Sequence, residues 1–576
     1  MFGVSTPGSW TNLVPAIRQA RTYQRSWLGN DLVAGLVLVG MLAPAGMAYA
    51  TAAGLPPVTG LYASIVPLVV YAIFGPSRVL ILGPDSSLTP LLLAAIVPLA
   101  AAGSGEAVAI AGALSIMAGA VCIAAGLARF GFIAELLSAP VRYGYLHGIA
   151  LTIIIAQAAK LSGFSVSSES LITQFRQLVD GLSTGRANGW ALAVGVSSVV
   201  LIVVLRAMSK VVPAALVVVL FGIVIALVLG LPDRGVPLVG QLPSGVPSPM
   251  IPDIDWGTAR TLVGAALGVA FVAFADTSVV SRTMALRRGD DVDANHELVA
   301  LGMANVASGL FQGFAVSASS SRTPVAEAAG SRTQLTGMIA ALALLVVTVA
   351  APGAFRNLPD ASLAAIVIAA AISLIDLPAM RRLYRVRRSE FALAVVAFLA
   401  VAVLGPVDGV IVAVVLSVLN FMRLVWKPHT AELVRVDGLK GYHDRVRHPE
   451  GNVVPGLMLY RFDAPLFFAN ARFFATDIER RVAAQDVPVR CVIVTAEPIT
   501  DIDTTAAETL REMVDDLRTK GVELRFSELK GSVRERLDRY DLFGGNEPDH
   551  SARTTGEAVK RFVRDYPSDW VDWEDR

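Results

Sequence analysis

Up to Trp426 the chain is a succession of apolar runs of roughly 15–23 residues, about the length that spans a bilayer; beyond Lys427-Pro428 charged and apolar residues alternate. A repeated spanning pattern of this kind leaves helical membrane bundles as the fold class, because every backbone polar group at that depth must be satisfied within the segment. Composition agrees: 16% of the 576 residues are charged and 54% are hydrophobic, where a soluble domain carries about 25% charge. We read about fourteen segments, near 32–50, 58–75, 86–100, 106–128, 138–160, 188–206, 212–231, 261–278, 297–312, 319–330, 333–352, 362–378, 389–404 and 408–426. The expected domains are a cytoplasmic arm (1–30), a transmembrane domain (31–427), a linker (428–452), a soluble α/β domain (453–565) and a loose acidic tail (566–576).

Lys and Arg accumulate in cytoplasmic loops. With the N-terminus inside, the inner loops hold fourteen basic residues, among them Arg206, Arg287, Arg288 and the run Arg381 to Arg388, and the outer loops hold six. An even number of spans returns the C-terminal domain to the cytoplasm. Seven segments per half would place the halves in opposite orientations, as an inverted repeat. The third and tenth segments, at matching places, are short and polar-headed: Ser86-Ser87-Leu88-Thr89-Pro90 and Ser320-Ser321-Arg322-Thr323-Pro324, each after a Gly-containing turn. Such a pair of broken helices is the best sequence pointer to a transporter's substrate site. Helix N-termini expose N–H groups and partial positive charge, which suits an anion.

Four hydroxyl residues, Ser317, Ser319, Ser320 and Ser321, lead into the tenth segment, whose first turn is expected between Ser321 and Pro324. Arg322 adds fixed positive charge, with Asp276 or Glu327 as its alternative ion-pair partners. Asp276 ends the eighth apolar run, and an ionisable residue inside a span is a functional candidate; it is read as the carrier of a coupling proton or the ligand of a coupling cation, with Ser320 and Glu327 as weaker candidates. Asp85 would repel an anion, and the sequence leaves three places for it: facing solvent, paired with an arginine, or protonated. The loop Ala285 to His296 carries charges of both signs but lacks the spacing and closing Glu of a calcium site. No metal cluster, nucleophile–base pair or phosphate-binding glycine loop appears, so neither an enzyme nor a cofactor is expected. The net charge of +1 offers nothing to nucleic acid, and Cys122 and Cys491 are not expected to pair.

The soluble part reads β-α-β-α-β-α: a strand in Leu457 to Ala469, a helix from Ala471 to Ala484, the buried strand Val489 to Thr495, an amphipathic helix from Thr504 to Lys520, a strand from Val522 to Leu529 and a helix from Val533 to Leu542. The alternation implies a parallel or mixed sheet covered by helices. Asp503 or Thr504 caps the second helix, and Thr504 or Thr505 is a candidate for regulatory phosphorylation.

Several motifs coincide with one family. Asp31-Leu32-Val33-Ala34-Gly35-Leu36, Pro44, Met47-Ala48-Tyr49-Ala50 and Gly54-Leu55-Pro56-Pro57 resemble the first-helix signature of the SulP/SLC26 anion transporters, which end in a cytoplasmic STAS domain. Asn295-His296-Glu297-Leu298 is similar to their ninth-helix motif and Ser319-Ser320-Ser321-Arg322 to their tenth; Phe468-Ala469-Asn470 and Asp501-Ile502-Asp503-Thr504-Thr505 look like the STAS portion. The resemblance covers about Asp31 to Leu542. It implies a 7+7 inverted repeat of core and gate domains, an anion held between the third and tenth helix starts, elevator-like movement, homodimers, and an acidic coupling residue at Asp276. Three positions depart from the pattern: Ala45 stands where a Gln is common, Val280 replaces a Thr of sodium-coupled members, and Thr504 stands where other STAS domains carry a phosphorylatable Ser.

The expectation is therefore an all-α membrane transporter with an α/β STAS domain in a bacterial inner membrane, surrounded by lipid. Its cargo would be a small inorganic anion, sulfate first, then bicarbonate or a dicarboxylate. Ser86, Ser87, Ser319, Ser320, Ser321 and Arg322 would bind substrate. A proton is preferred to sodium, and a cytoplasmic regulator would meet the STAS domain. The rivals are a nucleobase carrier, an uncoupled anion channel or motor, and a membrane-tethered signalling protein.

Overall fold

The computed structural model describes residues 15–132, 138–166, 171–208, 213–243, 245–319, 321–542 and 550–575. The chain forms two compact units, Met1–Val418 and Leu419–Arg576. Fourteen helices fall on the expected segments: α1 Leu28–Ala52, α2 Pro57–Phe74, α3 Thr89–Ile96, α4 Gly105–Leu127, α5 Ala139–Leu161, α6 Gly189–Met208, α7 Ala214–Leu229, α8 Trp256–Arg288, α9 Ala294–Leu310, α10 Arg322–Ala328, α11 Leu335–Ala350, α12 Asp360–Ser373, α13 Arg388–Leu404 and α14 Pro406–Trp426. The third and tenth are the short ones, 8 and 7 residues long. α8 runs well past its apolar stretch, because Ser278 to Arg288 contains no breaker. Its helix ends at Gly289, left-handed at φ 68°.

The packing carries the repeat. α2 packs on α11 and α9 on α4; α1 packs on α11 and α8 on α4; α13 packs on α5 and α6 on α12; α3 packs on α8 and α10 on α1. Adding seven to each label, cyclically, turns the first member of every pair into the second. The partners group as α1–α4 with α8–α11, and as α5 and α6 with α12 and α13. Where α4 crosses α9 the backbones nearly touch: a Cβ on Gly302 would lie 2.6 Å from the Gly119 carbonyl, and one on Gly309 would lie 2.3 Å from that of Gly112. In lipid, where apolar burial gives no drive between helices, such small-residue contacts supply the packing. Two helices outside the fourteen, Leu171–Ser183 and Leu377–Val386, join α5 to α6 and α12 to α13.

The second unit holds a six-stranded sheet in the order β4-β3-β5-β6-β7-β8: β3 Thr430–Arg435, β4 Tyr442–Asp444, β5 Leu457–Phe462, β6 Cys491–Thr495, β7 Glu523–Ser527 and β8 Ser551–Ala552. β5 to β8 are parallel, and β3 runs antiparallel to both its neighbours, β4 and β5. Helices α15 Ala471–Ala483, α16 Thr504–Thr519, α17 Gly531–Arg539 and α18 Thr555–Asp565 complete the unit. Every residue of β6 is buried, as a central parallel strand requires.

Two expectations change here. The stretch 428–452 is not a linker: β3 pairs with β5, Ala431 and Leu433 are buried on one of its faces and Val434 on the other, and β4 closes the edge. The acidic end is not loose. The single N–H of Arg435 Nε is shared between both Asp572 carboxylate oxygens, each at 3.0 Å, and Glu574 lies 3.1 Å from Arg435 Nη2. The Trp573 ring stacks on the same guanidinium at 5.4 Å. Acidic residues look solvent-bound until a buried arginine elsewhere in the sequence supplies their partner.

Candidate functional site

The two short helices are presented by an unusual pair of strands at the centre of the first unit. β1 (Leu82–Gly83) pairs antiparallel with β2 (Ser317–Ala318), Leu82 opposite Ala318 and Gly83 opposite Ser317. The rest of this irregular backbone is satisfied by side chains of neighbouring helices. Asn305 of α9 donates to the Val316 carbonyl and accepts from the Val316 N–H (3.1 and 2.8 Å). Thr277 of α8 accepts from Ala318 N at 3.1 Å, and Thr323 accepts from Ile81 N at 3.2 Å. Non-helical backbone is tolerated at membrane depth only when covered in this way.

The loops after each strand bring the candidate residues together. Ser86, Ser87 and Ser319 are buried, Ser321 is exposed to the adjoining cavity, and Arg322 is 3% exposed. Ser320 lies outside the described residues. Ser319 Oγ accepts from the N–H groups of Ser321 and Arg322 (3.3 and 3.5 Å), so it starts α10, and its hydroxyl lies 3.0 Å from that of Ser321. Beside them is a cavity of 390 Å³, walled by Tyr49 and Ala45 of α1, Asp85 and Ser86, Ser319, Ser321 and Arg322, and by α6, α7 and α12 through Arg206, Ala214 and Ile366. Arg206 and Leu374, which also line it, lie at helix ends on the side rich in basic residues.

Arg322 does not pair with either carboxylate named from the sequence. Its Nη2 is 3.7 Å from Asp85 Oδ2, and Nη1 donates to the Pro84 carbonyl. Among the described residues, Nε and Nη2 have no hydrogen-bond partner. Asp85 is thus the arginine-paired carboxylate, the second of the three places left open for it. Ser87 N donates to Asp85 Oδ1 (3.2 Å), and Ser87 Oγ lies 3.2 Å from the same oxygen and 2.5 Å from Asp276 Oδ2. A single serine therefore links Asp276 to the head of α3. Glu327 lies apart from this group, 3.4 Å from Arg288 Nε and 3.8 Å from Arg287 Nη1.

Some contributors had no visible signal. Tyr49 stood in the Met47-Ala48-Tyr49-Ala50 motif without a role, and Arg206 counted only among the basic residues of the inner loops; both line the cavity. Glu297 is fully enclosed, accepting from Tyr71 Oη at 2.5 Å and Ser281 Oγ at 2.8 Å. It ties α9 to α2 and α8. Among the described residues no cluster with the donor set of a metal site occurs.

Comparison with known proteins places this arrangement. The profile of the sulfate permease family matches residues 28–397, and that of the STAS domain matches residues 448–558. A probable sulfate transporter of Mycobacterium tuberculosis is 38% identical over 564 residues, 98% of this chain and 100% of the relative. The fold is similar to that of murine Solute Carrier 26 family member A9, an anion transporter solved in the inward-facing state, with a TM-score of 0.87 at 22% identity, covering 98% of this chain and 97% of that one. The transmembrane domain of a cyanobacterial bicarbonate transporter is similar with a TM-score of 0.60 at 25% identity, covering 69% of this chain and 98% of its own. The relatives are transporters and not enzymes. This chain belongs to the sulfate permease family, as a multi-pass membrane transporter with a C-terminal STAS domain.

Proposed function

We propose that the protein is a secondary active transporter of a small inorganic anion, with sulfate as its first substrate and a proton as its coupling ion. The observation that carries this reading is Arg322: a buried guanidinium in the cavity wall, with two N–H-bearing nitrogens that find no partner among the described residues. Buried donors of this kind cost free energy unless a ligand completes them. An oxyanion entering the cavity would take these N–H groups and loosen the 3.7 Å contact with Asp85. The hydroxyls of Ser86 and Ser321 and the amides at the head of α3 would complete its shell. The name of the mycobacterial relative makes sulfate the first choice, and the likeness to a bicarbonate transporter makes bicarbonate the second.

The geometry around Ser87 supports proton coupling. Its hydroxyl has one hydrogen and two carboxylates within reach. Both contacts are hydrogen bonds only when one carboxyl carries a proton. A proton taken up at Asp276 would thus be felt at Asp85, and through it at Arg322. Val280, where sodium-coupled relatives carry a hydroxyl, gives a sodium ion no oxygen. Alternating access would follow from movement of the α1–α4/α8–α11 group against the helices that face it.

The test is uptake of labelled sulfate into liposomes with an alkaline interior and no sodium. Accumulation above equilibrium that is abolished in Asp276→Asn, while sulfate binding persists, is the expected result. Absence of concentrative uptake in the wild type would overturn sulfate–proton symport, and bicarbonate with sodium would then be tested in the same vesicles.

A further inference from the structure

The inverted repeat provides its own control for a surface feature unrelated to the transport cavity. Helix Leu171–Ser183 joins α5 to α6, and helix Leu377–Val386 joins α12 to α13 at the equivalent place in the second half. Both pack against α5 and α13. Both leave large apolar side chains uncovered: Ile172, Phe175, Val179 and Leu182 on the first, Leu377, Tyr384 and Val386 on the second. Amphipathic helices with such a face lie in the plane of the membrane interface.

Their charges differ. The first carries Arg176 and Asp180, which cancel. The second carries Arg381, Arg382 and Arg385, followed at once by Arg387 and Arg388, and no carboxylate lies between Leu377 and Arg388. Since both helices pack alike, packing does not call for the arginines. At 100° per residue, Arg381, Arg382 and Arg385 share an arc of about 100°. All three are exposed. Arg387 is paired with Glu390 at 2.9 Å and Arg388 lies over the Tyr384 ring at 5.8 Å, but Arg381, Arg382 and Arg385 have no carboxylate partner among the described residues. Together with Leu377, Pro378 and Val386 they line a groove of 450 Å³. Orientation signals need positive charge in this loop; they do not need three unpaired guanidinium groups converging on one groove with apolar residues at its ends.

We propose that helix Leu377–Val386 binds the headgroup of an anionic phospholipid, its phosphodiester held by Arg381, Arg382 and Arg385 and its acyl chains lying along Leu377 and Val386. The guanidinium fork matches two phosphate oxygens at once, and the uncovered apolar residues sit where the chains begin.

Native mass spectrometry of the purified full chain, offered phosphatidylglycerol and phosphatidylcholine in equal amounts, tests this. The wild type should retain phosphatidylglycerol preferentially. A basic residue near an anionic surface is worth about fivefold in lipid partition, so R381Q/R382Q/R385Q should lose roughly a hundredfold of that preference. R381K/R382K/R385K keeps the charge but not the fork and should keep part of it, between the wild type and the glutamine variant, and R176Q on the related helix should change nothing. An unchanged melting temperature in phosphatidylcholine alone shows that the glutamine variant is folded; where it is not, the lysine variant and the competition below decide. A glutamine variant that still prefers phosphatidylglycerol overturns the proposal. So does displacement of the lipid from the wild type by glycerol 1-phosphate at similar concentration, which would make a soluble phosphate the occupant, or by an acidic peptide, which would make it a protein site.

Discussion

Arg322→Gln separates the two jobs assigned to this residue. In the structure its guanidinium faces Asp85 at 3.7 Å, donates to Pro84, and leaves Nε and Nη2 without a hydrogen-bond partner among the described residues. If those donors hold the anion, each charge-assisted hydrogen bond contributes about 1.5–3 kcal/mol. The substitution then costs about 3–6 kcal/mol of binding, roughly a hundredfold to ten-thousandfold in affinity. It also strands Asp85 in a largely buried place, and removing one partner of a buried pair costs about 3–5 kcal/mol of stability. The double variant R322Q/D85N removes both charges and should regain the lost stability without regaining the anion. The assay is the rise in melting temperature with added sulfate. Saturation at a hundred times Kd stabilises a binding protein by about 2.7 kcal/mol, so the wild type should show a clear shift and both variants none. Arg322→Lys keeps the charge but not the fork, and should fall between them. Sulfate stabilisation of R322Q/D85N within tenfold of the wild-type concentration dependence would refute the assignment of Arg322 to the substrate.

Other positions carry separate consequences. Lys160, at the end of α5, donates to the Thr51 carbonyl at the end of α1, so K160M should loosen the closure there by about 1.5–3 kcal/mol, read as faster labelling of a cysteine placed at Thr51; unchanged labelling would remove the latch. Gly302→Leu forces a side chain into the Gly119 carbonyl and should cost at least about 1–3 kcal/mol, lowering the melting temperature, whereas Gly264→Ala on an open face of α8 should not. In the STAS unit, burial opposes ionisation of Asp477, but hydrogen bonds from Arg481, Thr430 and Tyr460 and the Arg481 charge outweigh it and hold its carboxyl below the usual carboxylate range. A depressed folded value means that its stabilisation is present above about pH 4, the unfolded value, and is lost as pH falls through the folded one. Asp477→Asn should therefore lower stability at neutral pH and flatten the acid dependence, followed by pepsin cleavage of the full chain from pH 3 to 6; an unaltered acid profile would show that Asp477 does not contribute.

Periodicity and length made the membrane helices legible. All fourteen segments are present, because a spanning helix must be apolar throughout and a broken one must start with small polar residues. Ser86, Ser87, Ser319, Ser321, Arg322 and Asp276 gather near one strand pair for the same reason. Pairings across the fold were not legible. Nothing near Arg322 in sequence indicates Asp85, since their meeting depends on β1 lying against β2. Glu327, one helical turn from Arg322 in the chain, turns away to Arg287 and Arg288. In the soluble unit the β3–β4 hairpin and the docked tail were missed because their burial depends on neighbours far along the chain, Arg435 above all.

The repeat also indicates what the second conformation should look like. α1 packs closely on α7 and α12, and a Cβ on Gly40 would meet Leu216 at 2.9 Å. The symmetry-related contact is α8 against α14. There the structure has a gap instead: a Cβ on Gly264 or Gly268 would meet nothing within 4 Å, and with Phe271, Val410 and Val414 these glycines line a cavity of 380 Å³. The two symmetry-related contacts therefore differ: α1 touches α7 at Gly40, while α8 stands apart from α14 at Gly264 and Gly268. If alternating access proceeds as proposed above, exchanging these contacts would close α8 on α14, lift α1 from α7, and turn the anion site toward the other face of the membrane. A G268C/V414C pair, in a background lacking Cys122 and Cys491, should then cross-link with a short bifunctional thiol reagent only while sulfate and a proton gradient drive turnover, and should stop uptake once linked. Equal cross-linking with and without turnover would mean that this gap is a fixed feature of the bundle, and that exchange of repeat contacts is not how the protein moves.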